Sequence, residues 1–198
     1  MYILNDVTDA VQKVAKACSY QLGKDCIWHA MAAKYLLKKC EIESRIVIGF
    51  SAWRVGDSDG AVITHVPIKG VKYQPNEFPF HAWLEINDVY IFDVTTYLFE
   101  AKMKALDSID GNSTEVSWCP DYLYMHKNYT KPLSEVIQRT PCLSYYEENE
   151  FVTKHISNVV SFEEDINKED AAILEQVFQN PWVTLVGPNT IKGEINHG

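Results

Sequence analysis

No stretch of eighteen consecutive apolar residues occurs in the sequence, so nothing in it reads as a membrane-spanning helix. There is no CxxC pair. The five cysteines, Cys18, Cys26, Cys40, Cys119 and Cys142, are odd in number and scattered, which argues against a disulfide framework or a zinc ribbon and for reduced thiols. The chain also lacks a GxSxG turn, a phosphate-cradling glycine loop and a dinucleotide fingerprint, which lowers the case for serine-hydrolase, nucleotide or dinucleotide chemistry. Basic residues are outnumbered, 18 Lys and Arg against 27 Asp and Glu, for a net charge of −9. That balance disfavours nucleic acid or an anionic membrane as partner. The first residues, Met1 to Asp9, lack the basic start and apolar centre of a secretion signal, so the expected location is cytoplasmic.

What is present suffices for one core. A chain of 198 residues that is 46% hydrophobic reads as a single domain over 1–198. Its core is expected over 20–97, with a C-terminal elaboration over 98–190 and a loose tail at 191–198. Val7, Ala10, Val11, Val14, Ala15 and Cys18 recur at helical spacing, predicting a helix from about Asn5 to Leu22 with Cys18 on its buried face. Gly23-Lys24-Asp25 then forms a turn, and Cys26 opens a second helix running to Lys39, with Asp25 as its expected N-cap. Strands are predicted at Ser44–Phe50 with an extension to Trp53, at Ala61–Ile68, at Phe80–Ile86 and at Val89–Thr95. Thr96 to Ile109 and Lys168 to Gln179 read as helices. Leu133 to Arg139 reads as a short helix, and Val116–Trp118 and Val183–Val186 as short strands. The acidic runs Glu147–Glu150 and Glu163–Asp165 read as solvated surface.

Chemistry gathers around Cys26. A thiol in the first turn of a helix, at the positive end of the macrodipole, loses its proton more readily, and the thiolate is the nucleophile. It needs a base, and the base needs a group that fixes its tautomer. His81 and Asp93 are of those types and follow in that order. The hairpin between them sets a condition. A two-residue loop at Asn87-Asp88 would pair His81 with Val94 and throw Asp93 onto the opposite face. A three-residue loop or a bulge pairs Trp83 with Asp93 and leaves His81 diagonally adjacent on the same face. The functional reading therefore predicts an odd register.

These residues resemble a family. The Cys-headed helix with Ala30 and Leu36-Leu37, the segment Ile42-Glu43-Ser44-Arg45-Ile46-Val47-Ile48-Gly49, the run His81-Ala82-Trp83-Leu84-Glu85 and the run Phe92-Asp93-Val94-Thr95 look like the core of transglutaminase-like proteins, here a small bacterial transglutaminase-like domain, within the wider papain-like group. The likeness covers about residues 20 to 97. It departs from the family's pattern at Cys40, where a glycine is usual, and at Ile27, where tryptophan often follows the nucleophile. The resemblance implies an α+β fold in which a Cys-bearing helix packs on an antiparallel sheet, with additional C-terminal helices. It makes Cys26 the nucleophile, His81 the general base and Asp93 its orienting partner. Gln21 and the Cys26 backbone N–H are candidate oxyanion donors, and Trp83 and Trp28 candidate site walls.

The implied reaction is acyl transfer from an amide to water or to an amine, with no cofactor and no metal, on a protein, peptide or small amide substrate. Two rivals stand beside it. One is a catalytically silent binding or scaffold protein, for which loss of a triad member would speak. The other is a metal-dependent hydrolase built on His65, His81 and Asp93. His29, nearly on the Cys26 face of the helix, is a rival base or ligand, but reads more simply as a partly exposed polar residue. Cys40, Cys119 and Cys142 read as packing residues.

Overall fold

The computed structural model describes residues 2–19, 25–73, 78–138, 140–158, 160–161 and 166–190. Two helices open the chain, α1 (Tyr2–Cys18) and α2 (Cys26–Lys39), followed by β1 (Ser44–Arg54), β2 (Val62–Thr64), β3 (His81–Ile86) and β4 (Tyr90–Asp93). Then come α3 (Phe99–Asp110), β5 (Leu123–His126), α4 (Leu133–Val136), β6 (Leu143–Glu148), α5 (Glu150–Ser157) and α6 (Lys168–Gln179). The class is α+β, with an antiparallel sheet and packed helices.

β1 is the spine of the six-stranded sheet. One of its edges carries β3 and then β2, and its other edge carries β6; β4 and β5 extend the sheet beyond β3. Every pairing is antiparallel. Gly49 lies at the crossing point, opposite His81 on one side and Glu148 on the other. A Cβ there would come within 2.0 Å of the Glu147 carbonyl oxygen, so only glycine lets β6 close against the strand that faces His81.

Both faces of the sheet are covered. α1, α2 and α6 pack on one face, burying Val7, Val11, Leu36 and Leu37 against Ile48, Leu84 and Phe92. On the other face Val47, Trp83 and Ile91 meet Met125 and Tyr146, and Trp53 gathers Ile63, Phe99 and Met103 around itself. With both faces covered, β3 is buried at every position instead of at alternate ones, its polar His81 and Glu85 included. Arg54, fully buried at the end of β1, donates to the carbonyls of Ser58, Val136 and Ile137, holding two loops to the sheet. Buried Glu85 carries Arg45 and Lys127 at 2.5 and 2.8 Å, tying β3 to β1 and to the turn that follows β5.

Several expectations are corrected. The first helix ends at Cys18, which is exposed, and Cys142 is exposed as well. The second strand stops at Thr64, well short of Ile68. Val116–Trp118 is no strand; the Ser117 and Trp118 N–H groups both donate to the Val55 carbonyl instead. Among the described residues Val183–Val186 pairs with no strand, and the short helix at Leu133 ends at Val136. β5 and α5 arise in stretches where no element was expected. Asp25 makes no side-chain capping bond to α2. Gln21, the Glu163–Asp165 run and the 191–198 tail lie outside the described residues.

Candidate active site

The β3–β4 ladder has the odd register that shared placement of His81 and Asp93 requires. Leu84 faces Phe92, Glu85 faces Ile91 and Ile86 faces Tyr90, leaving three residues, Asn87, Asp88 and Val89, in the loop. Asn87 and Asp88 both take left-handed φ, 53° and 55°, a conformation that Asn and Asp tolerate better than most residues. One further step along the ladder sets Trp83 opposite Asp93, with His81 diagonal to it. The result is a hydrogen bond of 2.8 Å between His81 Nε2 and Asp93 Oδ2, with both side chains fully buried.

Asp93 is saturated with donors. Oδ1 accepts from the Thr95 backbone N–H at 2.9 Å and the Thr95 hydroxyl at 2.8 Å; Oδ2 accepts from His81 and, at 2.8 Å, from the Tyr146 hydroxyl. Tyr146 accepts in turn from the Trp53 indole N–H at 2.8 Å. Burial alone pushes the Asp93 carboxyl up, but the His81 charge and hydrogen bond and the Thr95 donors hold it well below the usual carboxylate range. Burial likewise opposes the His81 imidazolium, and the Asp93 charge, the bond to Asp93 and the neighbouring Cys26 together hold its pKa above the ordinary value.

With an ionised carboxylate on Nε2, that nitrogen carries the proton and the tautomer is fixed. Nδ1 is left buried and without a hydrogen bond among the described residues, and the Cys26 thiol lies near enough to act on the ring. Cys26 is the first residue of α2 and is 9% exposed. The structure thus brings Cys26, His81 and Asp93 together. Aromatic rings clamp the imidazole: Trp83 and His65 lie nearly parallel to it at centroid distances of 6.2 and 5.4 Å, and Trp53 meets it edge-on at 4.9 Å.

Other candidates fall elsewhere. Trp28 is turned to α6, where its indole N–H donates to Asp170 at 2.9 Å, so it does not wall the His81 ring. His29 is fully buried, contrary to expectation, because Asp25 and Tyr97 satisfy both of its nitrogens: Nδ1–H donates to the Asp25 carbonyl at 3.0 Å and Nε2 accepts from Tyr97 at 3.0 Å. It is a structural strut and not a rival base. The Asp25 carboxylate meets the Ser19 hydroxyl and, at 3.4 Å, His29. Among the described residues no three His, Cys, Asp or Glu side chains converge as a metal-holding group, His65 included.

Two members of the site, Tyr146 and Trp53, escape sequence reasoning. Trp53 reads only as the end of a strand, and Tyr146 lies 53 residues beyond Asp93 in a stretch with no clear period. Its alternation Leu143, Tyr145 against Ser144, Tyr146 was the one available hint of a strand. Tyr146→Phe is expected to cost about 1–3 kcal/mol, because it removes a donor from Asp93 and leaves the buried Trp53 N–H unpartnered. Urea unfolding of the variant measures it.

Residues 5–116 match a family described as "Protein of unknown function (DUF2026)", more than half of the chain. The chain belongs to the DUF2026 family. The matched segment takes in α2, β1, β3, β4 and α3, and with them Cys26, His81 and Asp93. No curated protein matches this DUF2026 chain. A solved structure described as "The crystal structure of genomics APC5867" is similar in fold, with a TM-score of 0.63 at 11% identity, over 93% of this chain and 82% of that one.

Proposed function

We propose that the protein is a cysteine-dependent acyl-transfer enzyme with a papain- or transglutaminase-like core. The observation that carries this reading is the polarity of His81, with Nε2–H tied to an ionised Asp93 and Nδ1 left for the Cys26 thiol. His81 Nδ1 takes the Cys26 proton, and the sulfur attacks the carbonyl carbon of an amide. The tetrahedral oxyanion meets the first-turn N–H groups of α2, which have no partner within the helix and receive no side-chain cap from Asp25. Collapse expels the amine, which leaves with the proton held on Nδ1, and an acyl thioester remains on Cys26. Water or a second amine then attacks the thioester, giving its proton to Nδ1, and the thiol is restored as the sulfur departs. Asp93 keeps its charge throughout and stabilises the imidazolium each time it forms.

The test is a burst experiment with p-nitrophenyl acetate. Release of about one nitrophenolate per chain, with one acetyl group mapped by mass to Cys26, is the expected outcome. Acetylation spread over lysines, or no burst, would remove the acyl-transfer reading.

A further inference from the structure

We propose that Lys102, with His65 beside it, recognises a carboxylate on the substrate, next to the acyl group that Cys26 takes. This rests on the acyl-transfer reading and names its substrate class. Lys102 projects from α3, with Nζ 5.5 Å from the centroid of the Trp53 ring, and Trp53 is the residue whose edge abuts His81 at 4.9 Å. Among the described residues no carboxylate lies within ion-pair distance of this ammonium and no acceptor hydrogen-bonds it, in a chain with 27 acidic residues. The two arginines of β1 are treated differently: half-exposed Arg45 has Glu85 and Glu148, and buried Arg54 has three carbonyls.

Lys102 lies within electrostatic range of the site. Burial lowers its proton affinity, and the charges of Asp93, Cys26 and Asp25 oppose that loss. His65 also packs on Trp53, edge-on at 5.7 Å, and stacks on His81. Burial, with the His81 and Lys102 charges, pushes its pKa down to about 2, so its imidazole is neutral. Its Nε2 is buried and has no partner among the described residues. A cation without a counter-ion and a ring nitrogen without a partner therefore flank one indole at the wall of the thiol site. Leaving the His65 nitrogen buried and unpaired beside an uncompensated ammonium is costly, and a ligand carboxylate relieves both, one oxygen on the ammonium and one on the His65 N–H. A neutral amide would leave the ammonium uncompensated.

Iodoacetate and iodoacetamide provide matched probes. Each is displaced in the same way, the Cys26 sulfur bonding to the methylene carbon as iodide leaves, and they differ in charge. The quantity to measure is the ratio of their second-order rates at Cys26, at low ionic strength, in the wild type, Lys102→Gln, Lys102→Met and Lys102→Arg. The imidazolium also attracts iodoacetate, and losing a nearby cation slows both reagents, so the change in the ratio is what decides. The ratio is expected to fall about three- to tenfold in the Gln and Met variants, the effect of one charge at partly screened close range, and to be kept by Arg. A ratio unchanged in whichever of the neutral variants folds overturns the carboxylate site. Selective iodoacetamide modification of Cys26 with a ratio indifferent to Lys102 would discard this inference alone, whereas failure of iodoacetamide to select Cys26 would discard the acyl-transfer reading with it.

Discussion

Asp93→Ala is expected to destabilise the fold by about 3–5 kcal/mol, the largest effect of any single truncation in the site. Four donors converge on this carboxylate, from His81, Tyr146 and both polar groups of Thr95. All of them would be left facing a cavity too deep for water to replace the charge easily. Asp93→Asn keeps the volume but presents an amide N–H toward at least one donor, so it should recover only part of the loss. The pair also sets a pH window. Asp93 is held below its ordinary value, so its contribution is complete above about pH 4 and is lost as pH falls toward the folded value. His81 is held above its ordinary value, so its contribution is complete below about pH 6.5 and is lost as pH rises through the folded value. Urea midpoints measured across pH should therefore show the full contribution of the pair between about pH 4 and 6.5, declining on either side.

His81→Ala should slow the nitrophenyl-ester burst by about a hundred- to ten-thousandfold, the range a positioned general base supplies. Two separate functions disappear with the ring. No group remains to take the thiol proton, and the Asp93 charge is left without its cation in a buried site. Cys26→Ser tests the other half. The hydroxyl is a far weaker nucleophile at the same position, and the burst should vanish while the helix, which needs only a small residue at its head, remains folded. Stopped-flow traces on the two variants, beside a thermal melt of each, separate lost chemistry from lost structure.

The part of this site legible in the sequence is the part whose geometry is local. α2 is announced by strong helix formers, and the β3–β4 hairpin by two runs of β-branched and aromatic residues around Asn87-Asp88. Because side chains alternate along a strand, the pairing of His81 with Asp93 reduces to counting loop residues, and the three-residue loop meets the condition. What the sequence hides is long-range. Tyr146 reaches Asp93 only because β6 returns to pair with β1, and nothing within β6 itself specifies that partner. His29 misleads for the opposite reason. A polar residue on a helix reads as exposed until Tyr97, 68 residues away, supplies the second hydrogen bond that lets it be buried. Cys18 and Cys142 fail as core residues because each falls at the boundary of an element, where periodicity carries no information about burial.

The most direct test of a Cys26–His81 pair is competitive alkylation of the native protein near pH 6 with limiting iodoacetamide, followed by peptide mapping of all five cysteines. Ordinary thiols are almost wholly protonated at that pH and react slowly. A working pair requires that Cys26, although it is among the least exposed of the five, be modified at least tenfold faster than Cys18 and Cys142, and that His81→Ala abolish the preference. Labelling that simply follows exposure, with Cys18 and Cys142 first and no change in the variant, would contradict it.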